Sequence, residues 1–204
     1  MKIFGFYFFV TLAAIISMIV FSLAGVGVSL SLRPDWPTLL QTFLFLLMGL
    51  APIHLLHAGG EPNWVRNLFV VPLLGKGIFF LILLGPALFH QRAPHWAYTV
   101  LGFFGVGSFI AILVACFSTR TTALRLPFRW MGILSAVAWL GDVTWTVMQV
   151  RLGFHPTSRG VLRQLTFLPS HLILLFLCYR FWREAPGEPA WQSAVESIGQ
   201  KGEL

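Results

Sequence analysis

The sequence predicts an all-α membrane protein, a polytopic bundle of about six transmembrane helices with both termini cytoplasmic, and three observations carry that expectation. Hydrophobic residues make up 57% of the 204 without counting the 19 glycines, and charged residues only 10%; soluble domains hold roughly 45–50% apolar residues with glycine included and about 25% charged. The apolar residues are gathered into runs close to the roughly 20 residues that a helix needs to cross hydrocarbon. The stretches between the runs are short, rich in proline and glycine, and hold most of the 14 lysines and arginines. Cations so placed set topology and meet anionic lipid headgroups, so the partner expected of the net charge of +7 is a bilayer and not a nucleic acid.

Taken in order, residues 3–32 form one apolar run, longer than a perpendicular span requires, so it must tilt, bend or end early. Lys2 ahead of it and Ser22-Leu23-Ala24 within it also fit a cleaved signal peptide, but about 20 apolar residues before the site exceed the usual h-region of 7–15. The loop Arg33-Pro34-Asp35-Trp36-Pro37 leads to a second span over about 38–57, with His54 and His57 in its last turn, and Gly59-Gly60-Glu61-Pro62 ends it. The third span, about 67–90, contains Pro72, Gly75, Gly77, Gly85 and Pro86, which predicts a kinked or discontinuous helix with Lys76 in its most broken part. A turn at 90–95 opens the fourth span, about 96–117, whose Gly102, Gly105 and Gly107 suit close helix contact. A loop carrying Arg120, Arg125 and Arg129 precedes the fifth span, about 130–150, and the basic stretch Arg151–Arg163 precedes the sixth, about 162–183. The sixth closes on Tyr179-Arg180-Phe181-Trp182-Arg183, an aromatic and basic anchor at headgroup level. Residues 184–204 read as a polar cytoplasmic tail in which Trp191, Ala194, Val195 and Ile198 could form a short interfacial helix.

With six spans, Lys2, Arg66, Arg120, Arg125, Arg129, Arg180, Arg183 and Lys201 fall on one side, eight in all, and Arg33, Arg92, Arg151, Arg159 and Arg163 on the other. The richer side is the cytoplasmic one. The expected location is therefore the plasma (inner) membrane, or an equivalent energy-coupling membrane, and possible partners include the other subunits of a membrane complex.

Ionisable residues inside apolar runs are costly and mark functional positions. At about 1.5 Å per residue, Lys76 lies roughly 14 Å from the inner end of span three, Asp142 roughly 18 Å from that of span five, and His171 roughly 14 Å from the outer end of span six. All three approach the midplane. A cation, a carboxylate and an imidazole at one depth form a ligand or proton pathway, or else a Lys76–Asp142 pair that only locks two helices. His54, His57, Glu61 and Arg66 are secondary candidates. His54 and His57 share a helix face, and with Cys116 and Cys178 they would suit zinc or a copper-type ion if the four converged. We expect no bound metal, because they come from three helices that nothing in the sequence brings together. Haem held between His54 or His57 and His171 is a further possibility, so the cofactor stays open.

The two cysteines sit in apolar runs and outside any CxxC. GxSxG, HExxH, P-loop and dinucleotide signatures are absent, so the sequence names no reaction. The leading expectation is a protein that binds or translocates a small ligand or protons through a midplane polar centre. Two others stand beside it: an embedded enzyme or redox subunit acting on a lipid, quinone or haem, and a structural or assembly subunit.

Overall fold

The computed structural model describes residues 2–23, 36–89, 95–152 and 166–184. These are all-helical, with no strand among the described residues. In chain order the helices are α1 (Lys2–Leu23), α2 (Trp36–Met48), α3 (Ala51–Ala58), α4 (Asn63–Leu68), α5 (Val70–Leu88), α6 (His95–Ser118), α7 (Thr122–Leu152) and α8 (Leu168–Arg183). Residues 24–32 of the first apolar run, the turn at 90–94, the stretch 153–165 and the tail beyond Glu184 lie outside the described residues.

Proline accounts for two of the boundaries. The second apolar run is interrupted at Gly49-Leu50, between α2 and α3, and the third at Phe69, between α4 and α5. Pro52 follows Met48 by four residues and Pro72 follows Leu68 by four, and a proline has no N–H to give the carbonyl four residues back and crowds it with its ring. Each helix therefore stops at that carbonyl and restarts within two residues. In the third run the helical bonding is interrupted at Phe69 alone, where the backbone keeps helical dihedrals, and this lies about two turns ahead of Lys76. The structure corrects the expectation that Lys76 occupies the broken part: α5 is continuous through Gly75, Lys76 and Gly77 and contains Pro86 near its end.

Two further boundaries differ from the sequence reading. The basic loop expected over 118–130 is only Thr119, Arg120 and Thr121, because α7 starts at Thr122 and carries Arg125 and Arg129 on its first turns. Leu124 and Phe128, four apart, are both fully buried, and this apolar face outweighs the charge pattern that suggested a loop. At the other end, α8 begins only at Leu168, with Pro169 in its first turn where a missing N–H is harmless.

Helices adjacent in sequence pack in sequence. α1 lies against α2 and α8, α2 against α5, α5 against α6, α6 against α7, and α7 against α8, which closes a ring. The two short segments lean inward: α3 meets α4 and α8, and α4 meets α6. Ala51, Leu55 and Leu56 of α3 are fully buried, and with Phe4, Tyr7, Val65, Leu124, Phe128 and Leu177 they centre the main core on one end of the bundle. Contact between the Phe4 and Phe181 rings, 5.5 Å apart, puts the start of α1 and the finish of α8 at that same end.

The outer surface is apolar. Phe103, Val106, Ile110, Val114 and Phe117 form one exposed stripe on α6, and Leu126, Trp130, Ile133, Val137 and Leu140 another on α7. Stripes of that length are unsuited to water and suited to hydrocarbon. Among the described residues three stretches are long and apolar enough to cross a membrane: Lys2–Phe21, Leu39–Ala58 and Asn63–Pro86, with mean hydropathies of 2.4, 1.9 and 2.3.

Candidate functional site

Lys76 and His171 reach the same cavity from opposite sides of the ring. Gly75 lets α5 approach α6 closely, since a Cβ there would stand 3.1 Å from Cβ of Phe104, and Lys76 follows on the inward side. Pro169 and Ser170 open α8, with the Ser170 hydroxyl donating to the carbonyl of Phe167 at 2.8 Å, and His171 comes next. Phe45 of α2 is close to both groups: the Lys76 ammonium is 5.6 Å from its ring centre, and the His171 ring is 5.5 Å away at a tilt of 32°. The ring face gives the cation a weak electrostatic partner.

The cavity measures about 100 Å³ and is lined by Lys76, His171, Ser135 and Ser170, with Pro52, Pro72 and apolar side chains for the remainder. One water needs only roughly 10–15 Å³ of such space, so the cavity admits a few waters or a small ligand. Nδ1 of His171 is buried without a hydrogen-bond partner among the described residues. Lys76 makes no ion pair among them either. Asp142 lies on α7 two turns beyond Ser135, about 10 Å along the axis. Its side chain is outside the described residues, as is any pairing with Lys76. Two members of the expected trio thus meet. A donor-only cation and a group able both to donate and to accept, facing one small cavity in an apolar bundle, can hold a polar ligand and move a proton.

The secondary candidates lie at the packed end and divide by role. Glu61 is buried and joins two helical turns: its Oε1 accepts from the backbone N–H of Arg120 at 2.8 Å and of Thr121 at 2.6 Å. The Thr121 hydroxyl returns a bond to the carbonyl of Gly59 at 2.7 Å, while the Thr121 carbonyl accepts from Leu124 and Arg125 as α7 begins. A carboxylate at a helix start satisfies orphan N–H groups and the helix dipole together. Its neighbours fit the same purpose. Gly60 has φ of 71°, which side chains disfavour, and a Cβ on Gly59 would fall 2.5 Å from Leu124.

His54 and His57 turn to different neighbours. Nδ1 of His54 lies 3.0 Å from the Tyr7 hydroxyl and 3.1 Å from the carbonyl of Leu50, whereas exposed His57 accepts from an Arg66 guanidinium N–H. His171 engages Phe45 instead, so the histidine pair imagined for haem is split between separate contacts. Among the described residues no three His, Cys, Asp or Glu groups cluster at metal-binding distance, and Cys116 and Cys178 are free thiols buried in the core.

The sequence reading passed over Phe45, Ser135 and Gln41. Ser135 is the one hydroxyl within the apolar stretch 130–140 of α7, a signal that was there to be used. Gln41 is buried on α2, with both amide atoms unpartnered among the described residues.

Fold and site together define a class: an all-helical bundle with an apolar exterior, fitted to a membrane, around a small, mainly apolar cavity into which a few polar groups reach. No protein-family model matches the chain, and comparison with curated proteins and with solved structures found no match.

Proposed function

We propose that this is a six-span protein of the plasma (inner) membrane, with both termini cytoplasmic, that binds or translocates a small ligand or protons through a centre built on Lys76 and His171 and completed by Asp142. The observation that carries the reading is the shared cavity: the lysine and the histidine come from helices far apart in sequence and line one space of about 100 Å³. Packing alone does not call for such an arrangement, because an intramembrane charge is costly unless something in the site uses or compensates it. Lys76 offers three N–H donors to a negative or carbonyl-bearing group, and His171 can give or take a proton beside it. The ring of helical segments and the meeting of Phe4 with Phe181 at one end support an even number of crossings. The eight-to-five distribution of cations supports that end as the cytoplasmic one.

The test is flux and ligand response in vesicles. Protein reconstituted with a pH-sensitive dye inside should pass protons above the level of empty vesicles, or should be stabilised by at least one member of a panel of small anions and cations. Lys76→Met and His171→Leu should each abolish the response by about tenfold or more while the protein still elutes as folded. Wild-type protein that passes no protons and answers to no member of the panel would overturn the proposal. So would a response that survives both substitutions.

A further inference from the structure

At the packed end of the bundle, away from the Lys76 cavity, a second and larger cleft of about 380 Å³ opens beside the α6–α7 turn. It is lined by Arg120, Arg125, Arg129, Thr119, Ser118 and the aromatic side chains of Trp64 and Phe117. Its lining is mostly polar, and its volume falls within the roughly 300–1,000 Å³ of ordinary ligand sites. We propose that this cleft binds a phosphate-bearing anion, and that the anion is the headgroup of a membrane phospholipid.

Charge supports the anion. Three arginines line the cleft and neither described carboxylate does: Oε1 of Glu61 accepts from the backbone of Arg120 and Thr121, and Glu184 pairs with Arg180. Among the described residues none of the three arginines has an ion-pair partner, and Nε of Arg129 is buried with no hydrogen-bond partner at all. A planar guanidinium presents paired N–H groups that match two phosphate oxygens, which ammonium groups do not do. The hydroxyl of Ser118 adds a further donor to the lining.

Position supports the lipid. Phe117 lines the cleft and also ends the exposed apolar stripe of α6 that runs back through Val114, Ile110 and Val106 to Phe103. Trp64, which is exposed and lines the cleft, is the residue type that gathers at headgroup level. A diester seated on the arginines therefore has an apolar wall along which its acyl chains can lie, whereas a free phosphate would use the cationic end alone. On the orientation argued above, the cleft faces the anionic inner leaflet.

The full chain, purified in neutral detergent, should retain phosphatidylglycerol in preference to phosphatidylcholine when both are added and the complexes are weighed by native mass spectrometry. Arg125→Gln and Arg129→Gln should each weaken retention by about tenfold or more, the usual scale for a hydrogen bond to a charged group. Lys2→Gln, an equal loss of charge at the same end, should change it less than about twofold. Arg125 is exposed, so its variant keeps the test meaningful if Arg129→Gln fails to fold. A parallel arm adds inorganic phosphate and pyrophosphate. Arginine-dependent binding of these without lipid retention would overturn the assignment to a headgroup. Equal weakening by Lys2→Gln and the arginine variants would mean diffuse attraction and no site, and retention of neither probe would remove the proposal entirely.

Discussion

Replacing Glu61 by alanine tests the buried polar contact that joins the turn after α3 to the turn before α7. The side chain is only 4% exposed, and its Oε1 takes two backbone N–H groups at 2.8 and 2.6 Å at the turn that starts α7. Hydrogen bonds to charged groups contribute about 1.5–3 kcal/mol each. Water can reach the amide of exposed Arg120 more readily than that of half-buried Thr121, so the second bond should be lost nearly in full and the first only in part. The expected destabilisation is about 3 kcal/mol. Glutamine keeps a carbonyl oxygen that can accept both bonds and loses only the share due to charge, which is about half in a charge-assisted bond, so Glu61→Gln should cost about 1.5 kcal/mol. Denaturant titration of the purified protein in mixed micelles, with both variants and wild type compared at equal slope, measures these differences. If Glu61→Ala falls within about 0.5 kcal/mol of wild type, or if glutamine is no better than alanine, the carboxylate does not hold the two turns together and the account of this end of the bundle is wrong.

Other substitutions probe the same turn and the cavity. Gly59→Ala should destabilise by about 1–3 kcal/mol, because its Cβ would stand 2.5 Å from Leu124; Leu124→Val in the same chain should restore part of that in the same titration. Gly60→Ala has open space around it, so any loss of about 1 kcal/mol comes from its φ of 71° alone, and Gly60→Asn should be milder. For the charges within the apolar runs, Lys76→Met and Asp142→Asn should each lower folded yield. If the two groups are partners, the double variant should recover yield relative to at least one single change, with coupling above roughly 0.5 kcal/mol in the cycle; additive losses would separate them.

Much of the helical content could be read from the sequence, because runs of about 20 apolar residues leave the backbone no other way to satisfy its polar groups in hydrocarbon. A fixed rise per residue put Lys76 and His171 at similar levels in the reading, and in the structure the two line one cavity. Rotation about the helix axis and helix adjacency were not legible. A nearly uniformly apolar helix such as α1 carries no periodic signal to say which face turns inward; on α2 the buried Gln41, one turn before Phe45 on the same face, was such a signal and went unused. Glu61 was singled out for its chemistry and has a structural task, since only the fold brings a residue at 61 to the amides of 120 and 121. Arginines 125 and 129 were assigned to a loop because charge outweighed the apolar pair Leu124 and Phe128 in the reading, though not in the fold.

The interruptions at Gly49-Leu50 and Phe69 connect the two ends of the bundle. Without Pro52 and Pro72, α2 would run on into α3 and α4 into α5 as straight rods, each following its own neighbour in the ring. With them, α3 is released to fill the centre of the packed end, where Ala51, Leu55 and Leu56 are fully buried, and α4 is released to meet α6. Both prolines, with Gly49 and Phe69 from the interruptions themselves and Met48 beside the first, line the cavity that holds Lys76 and His171. Backbone carbonyls without an intrahelical N–H are tolerated at membrane depth where protein or an aqueous cavity covers them, and here the carbonyls released by the two prolines and the cavity coincide. The packed end, fastened by Glu61, supplies the stability that a loosely filled centre lacks. The breaks that fill that end also widen the middle of the ring, so the space around the polar pair follows from the same two residues that build the core.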